Sequence, residues 1–375
     1  QMSTKWQDTT KKLKDAGVDI DKAAGGMIKI GAAMPSIGIV GTKFALDFED
    51  SMAKAKTIAD TTEVSFNTLE KGVMKISNNI GQSATDVASG LYEVLSANVK
   101  TTDSLYVLND ATILAKTGFT DTSTSVDILT TIINSYGLEA KESTRLTDQL
   151  ILTQKLGKVT IGEMGESFGR VAGLAATAKV PIAELLAGIS TLTSNGIKSA
   201  EAITGLRAVL SAVIKPSKEA TDEAKRLGLN FSITALQSKG LAGFLADVER
   251  KTQGNSESMG KLFGQINGLN SMFILTGNGA NKFASDLNEI QSASGVAGQA
   301  FRDLDTRGEG LRRSLNELRN KVTEVGDAFS PAINLITGFL NILAKMTPGI
   351  LVVITAIGGL LVIIGTVIKT IGSVA

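Results

Sequence analysis

Hydrophobic positions change their spacing along the 375-residue chain, and each spacing predicts a different element. Residues 1–22 mix Lys5, Lys11, Lys12, Lys14 and Lys22 with Asp8, Asp15, Asp19 and Asp21, which reads as a solvated helix or strut. Residues 23–46 are apolar and glycine-rich. Lys29, Pro35 and five glycines there disfavour a membrane span, so a packed, kinked or interfacial segment is predicted. From Asp47 to about Gly277, apolar residues recur at helical spacing in pieces of roughly 12 to 20 residues, parted by short Gly, Asn, Ser or Pro signals. Ser83-x-x-Asp86, Thr124-x-x-Asp127 and Thr160-x-x-Glu163 mark helix starts, since a hydroxyl can accept one free N–H while the acid reaches back. Pro181 and Pro216 suit first turns, and Gly118, Gly137, Gly157 and Gly196 suit left-handed stops. Segments starting at Ser83, Asp121 and Pro181 look alike but share no fixed period, so ordinary helical hairpins explain them.

After about Gln291 the spacing becomes a heptad. Leu304, Gly308, Leu311, Leu315, Leu318, Val322, Val325, Phe329, Ala332, Ile336, Phe339 and Leu343 step by fours and threes, as in a coiled-coil seam. The positions facing farthest from it, Arg313, Asn320, Asp327, Asn334 and Asn341, are all polar and predict a solvent-exposed face. Around Pro331 the stripe widens, because Ile333, Leu335, Leu340 and Ile342 join it, and Ser330 can cap a new helix there. A narrow seam suits two or three strands; one long helix folding back on its own globular domain is the other reading. Residues 349–368 then run without a charge, with Lys345 and Lys369 on either side. Twenty helical residues reach about 30 Å, the thickness of a bilayer core. Ile350, Leu351, Val352, Val353, Ile354, Ile357, Leu360, Leu361, Val362, Ile363, Ile364, Val367 and Ile368 would face lipid, or else the helix is buried inside an assembly.

The expected fold is therefore all-α: a compact multi-helix core domain, a coiled-coil helix and a C-terminal hydrophobic helix. The divisions are 1–46, 47–290, 291–345 and 346–375. Composition agrees, since aromatics are 5%, prolines number 5, and the 39 glycines exceed the usual ~7%, as caps and close helix crossings require. No signal peptide is visible at the start, and both ends read as cuts in a longer protein.

Charge and chemistry narrow the function. With 38 Lys+Arg against 37 Asp+Glu, the net charge of +1 gives no general attraction to nucleic acid or anionic membrane. Without Cys or His, disulfides, imidazole-held metals and Ser-His or Cys-His nucleophiles cannot arise within these residues. Carboxylates remain, and Glu163 with Glu166 in TIGEMGES share a helix face, but stacking aromatics are sparse and Glu163 has a capping task. Gly254 to Gly279 carry no phosphate-loop spacing. Arg302, Arg307, Arg312, Arg313 and Arg319 are interleaved with Asp303, Asp305, Glu309 and Glu317, so local charge cancels. No catalytic residue, metal or cofactor is expected.

FEDSMAKAKTIAD (Phe48 to Asp60), SATDVASGLYEVLSANVKTTDSL (Ser83 to Leu105), the long motif from Thr160 to Ser217 and the terminal apolar run resemble the core of tail tape-measure proteins of tailed phages and phage-tail-like bacteriocins. The resemblance covers roughly residues 44 to 345 and implies a structural role. The protein would lie in the lumen of the tail tube near the tip, set tail length during assembly in the host cytoplasm, and reach the host envelope after ejection to assist DNA passage. It implies a homo-oligomer, with a trimer favoured, joined along the seam. It also implies contacts with the tail tube protein, tail tip or baseplate hub proteins, tail assembly chaperones and the host membrane, with no sequence-specific nucleic-acid binding. A membrane-inserting pore-forming protein unrelated to tails is the alternative; it accounts for the terminal run but not for the motif from Thr160 to Ser217.

Overall fold

The computed structural model describes residues 44–304 together with 310, 313, 314, 316, 317 and 320. Among these the regular structure is helical throughout, as the apolar spacing predicts, and Phe48–Asn320 form one compact unit. The helices are α1 (44–56), α2 (Phe66–Ile80), α3 (Ala84–Ser96), α4 (Thr101–Thr117), α5 (Thr122–Tyr136), α6 (Ser143–Leu156), α7 (Ile161–Thr177) and α8 (Ile182–Ser194). They continue as α9 (Ser199–Ile214), α10 (Lys218–Leu227), α11 (Ile233–Thr252), α12 (Ser256–Phe263), α13 (Ile266–Thr276), α14 (Ala280–Gln291) and α15 (Val296–Asp303). A 3-10 turn at Ala140–Glu142 leads into α6.

Helix α8 is the centre of the unit. Its sequence, IAELLAGISTLTS, is apolar or small apart from Glu184 in the first turn, and Leu185 to Thr193 are all buried against α6, α9 and α14. A helix without a polar face has no stable place at a surface, so its neighbours close over it. Phe168 of α7 and Phe244 of α11 are among the largest side chains fully enclosed.

The starts of the helices follow local chemistry. Ser83 Oγ accepts the Asp86 N–H, and Thr160 forms a complete capping box with Glu163. At α5 the cap is Asp121 rather than Thr124: its carboxylate accepts both the N–H and the hydroxyl of Thr124, a pair of bonds one hydroxyl cannot offer. Pro181 sits at the cap position just ahead of α8, and Pro216 precedes the cap Ser217 of α10. Of the four glycine stops, Gly137 and Gly196 adopt positive φ. Gly118 and Gly157 do not; a Cβ on Gly118 would run into Ile161, and one on Gly157 would stand 2.9 Å from the Ser190 Cα. Those two are glycine for close approach, not for backbone handedness.

Of the three segments that look alike, those starting at Ser83 and Pro181 share a fixed register, and the one starting at Asp121 does not. One constant shift relates the 13-residue α3 to the 13-residue α8, the cap Lys100 to the cap Lys198, and the left-handed Asn98 to the left-handed Gly196. The packing repeats too, since Leu108 lies against Gly90 as Leu206 lies against Gly188. Helices α2, α3 and α4 thus recur as α7, α8 and α9, with α5 and α6 between them. The period spans two intervening helices, which hides it from a search for adjacent repeats.

Candidate functional site

Of the carboxylates of TIGEMGES, Glu163 serves as part of a helix cap. Glu163 Oε2 accepts the Thr160 N–H at 2.9 Å, completing the cap, and both Glu163 and Glu166 stand exposed on α7. Among the described residues no group of three acidic side chains is placed to hold a metal ion.

Three buried carboxylates, Asp110, Asp148 and Asp286, and the half-buried Glu184 fasten helices together. Asp110 of α4 accepts Ser143 Oγ at 2.6 Å and Thr144 Oγ1 at 2.8 Å from the start of α6. Burial pushes its carboxyl above the ordinary range, and those hydroxyls partly offset the shift. Asp286 of α14 accepts Ser190 Oγ from α8 and pairs with Lys282 at 2.8 Å. Asp148 of α6 accepts the Gly295 and Ala297 N–H groups at 2.7 and 2.8 Å, capping α15 from a distant part of the chain. Glu184 of α8 accepts the Leu241 N–H where α11 breaks at Gly240, whose φ of 69° and ψ of 177° lie outside the helical range. A Cβ at Gly240 would stand 2.5 Å from the Glu184 carboxylate, so that break requires glycine twice over. Burial raises the Glu184 pKa, and the Leu241 and Ala242 N–H groups oppose the rise. Each of these acids is met by donors from a neighbouring element. The arrangement fixes helix positions.

Two surface depressions lie on the unit. One of about 280 Å³ is lined by Ser135, Tyr136, Ala176, Lys179, Val180 and Pro181, and falls below the ~300 Å³ at which ligand clefts begin. The other, about 540 Å³, is lined by Lys218, Glu219, Asp222, Glu223, Arg226 and Lys261. Its two signs neutralise one another, with Arg226 Nη2 2.6 Å from Glu223 and Lys261 Nζ 2.6 Å from Glu257. Hydrogen bonds from Arg226 and then Ser258 hold the Glu223 carboxyl down to about 2.

Of the heptad seam, Leu304 is half-buried at the end of α15. Leu311, Leu315, Leu318, Val322, Val325, Phe329, Ile336, Phe339 and Leu343 lie outside the described residues, as do the apolar positions from Ile350 to Ile368. Among the described residues no helix is long and apolar enough to cross a membrane. The polar outer face of the heptad differs from expectation at Asn320, which is 2% exposed. Its amide donates to Ser77 Oγ and Asn78 Oδ1 of α2, so polarity there serves hydrogen bonding to the domain and not solvation. Asn316 contacts the same turn, donating to Gln82 O at 2.9 Å. Sequence spacing carried no signal for Asp110, Asp148, Asp286 or Glu184, because their partners lie on other elements.

Comparison with known proteins supplies a family. A family model described as phage-related minor tail protein matches residues 70–264, just over half of the chain. The chain is 24% identical over 343 residues to a probable tape measure protein of Clostridium phage phiCD119, covering 88% of this chain and 34% of that protein. It is 23% identical to the tape measure protein of Pneumococcus phage Dp-1, covering 90% and 31%. It is also 23% identical to a probable tape measure protein of Escherichia phage P2, covering 94% and 47%. The chain therefore spans from about a third to a half of the length of these relatives. No solved structure matches it.

Proposed function

Because the chain belongs to the phage-related minor tail protein family, we propose that it is a segment of a tail tape-measure protein with a structural, non-catalytic role. The observation that carries this reading is the family match across the helical region 70–264, joined by tape-measure relatives that align along most of the chain. The complete protein then lies inside the tail tube, sets its length during assembly, and leaves at infection to help the genome through the host envelope. Its partners in this reading are further copies of itself along the heptad seam, the tube protein, the tail tip or baseplate hub proteins, assembly chaperones and, through 350–368, the host membrane.

Length arithmetic separates the measuring part from this part. An α-helix advances ~1.5 Å per residue, so 375 residues drawn out as one helix would reach only ~560 Å. Helices α1–α15 fold back on one another and supply much less. The ruler is accordingly assigned to other parts of the longer protein, and tip docking and envelope entry to this one.

In-frame deletion of helical segments outside this region, in the complete gene, is expected to shorten tails by up to ~1.5 Å per residue removed, as read by electron microscopy. Tails of unchanged length after loss of about a hundred such residues would remove the ruler function, since ~150 Å is easily measured. Leakage of dye from liposomes, compared with a chain lacking 346–375, tests the membrane role. The near-neutral net charge suits a protein sharing a tube with DNA. Lysine at Asp327, Asn334 and Asn341 is expected to slow genome ejection, and unaltered ejection kinetics would refute that link.

A further inference from the structure

The two recurring parts of the helical unit differ at one hydroxyl. The shift that carries the cap Lys100 to the cap Lys198 also carries Phe48 to Leu146, Met52 to Leu150 and Ala55 to Thr153, all buried, so the recurrence extends back to α1 and α6. It carries Thr101, the first residue of α4, to Ser199, the first of α9, and Asp60 to Lys158. In the first part the segment after α1 meets the start of α4, where the Asp60 N–H donates to Thr101 Oγ1 at 3.0 Å. In the second the Lys158 N–H turns instead to Thr193 Oγ1, at 3.2 Å, in the last turn of α8. Ser199 is 6% exposed, and its hydroxyl has no hydrogen-bond partner among the described residues.

Buried hydroxyls are rarely left unmatched, because their lost hydration costs stability. Each Cα–Cβ bond of a helix tilts toward the N-terminus, which aims the Ser199 side chain at the start of α9. That start carries further unmatched donors. Its cap residue, Lys198, makes no side-chain cap, and the first N–H groups of a helix have no intrahelical acceptor. The helix dipole is positive at this end, and the exposed Lys158 and Lys198 set two cations against one acid, Glu201, in the first turn. Elsewhere in the unit such starts are completed by carboxylates from distant parts of the chain: Asp148 caps α15, and Glu184 caps α11 beyond Gly240.

We propose that the start of α9 docks an acidic, extended segment of a partner protein, laid on it as the segment around Asp60 is laid on α4. A main-chain N–H of that segment meets Ser199 Oγ, and its Asp or Glu carboxylate takes the first N–H groups of α9 between Lys158 and Lys198. The occupant follows from two observations. The lysines select an acid, and the contact of Asp60 with Thr101 shows that a polypeptide main chain fits a hydroxyl at this position. The docking place stands on these contacts and not on the tape-measure reading, which survives its failure.

The test uses the full chain and a peptide copying residues 57–63, whose Asp60 supplies the acid. Titration is expected to give saturable amide shifts at 199–201 in heteronuclear NMR spectra. Lys158→Ala/Lys198→Ala, altered only at exposed positions, should weaken binding about tenfold, and the Asp60→Asn form of the peptide should bind about threefold more weakly. Ser199→Ala should weaken it about threefold to tenfold, the ratio for one net hydrogen bond. Its denaturant midpoint should equal or exceed that of the parent, since an unmatched hydroxyl is removed; a lowered midpoint would assign the hydroxyl to the fold and overturn its role in docking. Absent shifts at 199–201, or shifts confined to 101–103, overturn the proposal. So does an affinity that neither the lysine nor the serine substitutions change. Inorganic phosphate or a single-stranded oligonucleotide that binds 199–201 more tightly than the peptide rejects a polypeptide as the occupant.

Discussion

At the scale of single residues, local capping and close packing are the two controls that mutation can separate. Thr160→Ala removes the acceptor of the Glu163 N–H and is expected to cost about 0.5–2 kcal/mol in denaturant unfolding. Glycines inside helices divide by what surrounds them. A Cβ on Gly205 of α9 would overlap Ser271 Oγ and stand 2.9 Å from Asn267 O, so Gly205→Ala should destabilise by about 1–3 kcal/mol. Gly173 of α7 has open space where a Cβ would stand, and Gly173→Ala should stabilise by about 0.5–1 kcal/mol. Opposite signs in one denaturation series are the expected result; equal signs would show that propensity alone governs both. Acid response is likewise residue-specific. The Glu223 carboxyl is held down to about 2, below its unfolded value of about 4.3, so its contribution is present above that value and is lost as pH falls toward 2. Asp110 and Glu184 are raised by burial and run the other way, their contribution being lost as pH rises through their folded values. Glu223→Gln should flatten the acid limb of the stability curve, measured as the denaturant midpoint between pH 5 and pH 2. Capping of this kind was legible in the sequence at Ser83 and Thr160, because donor and acceptor lie three residues apart. It was misplaced at Thr124, where a hydroxyl and a carboxylate competed and the carboxylate won.

At the scale of elements, long-range carboxylates decide where helices begin and break. Asp148 caps α15 although its partners Gly295 and Ala297 are more than a hundred residues away in sequence. Asp148→Ala should cost about 1–3 kcal/mol and raise amide exchange selectively over 295–303. Uniform exchange across the unit would instead mean that α15 unfolds only with everything else. Glu184 does the same for the half of α11 that follows Gly240. Neither role was readable from spacing, since a helix start capped in trans leaves no Ser-x-x-Glu signature beside it. Elements were nonetheless found in kind, because helical periodicity is a local property. The recurrence of α2–α4 as α7–α9 was half visible, as a likeness without a period. The equivalent contacts of Gly90 with Leu108 and Gly188 with Leu206 fix its register.

At the scale of the molecule, charge balance, the lack of Cys and His and the all-helical class were determined by sequence alone. These are sums over residues or repeats at short range, and no fold can change them. The family was legible for the same reason, carried by motifs that lie within single segments of the chain. The heptad seam and the apolar run 349–368 remain sequence readings, since nearly all of their positions lie outside the described residues. Tertiary structure decided what each polar residue is for. It spends Glu163 on a cap, turns Asp110, Asp148, Asp286 and Glu184 into fasteners, and takes Asn320 from the heptad's outer face into a buried contact with α2. The physical reason is that periodicity reports which side of a helix is polar, whereas a hydrogen bond needs a partner within about 3 Å. Only the folded chain brings such partners together.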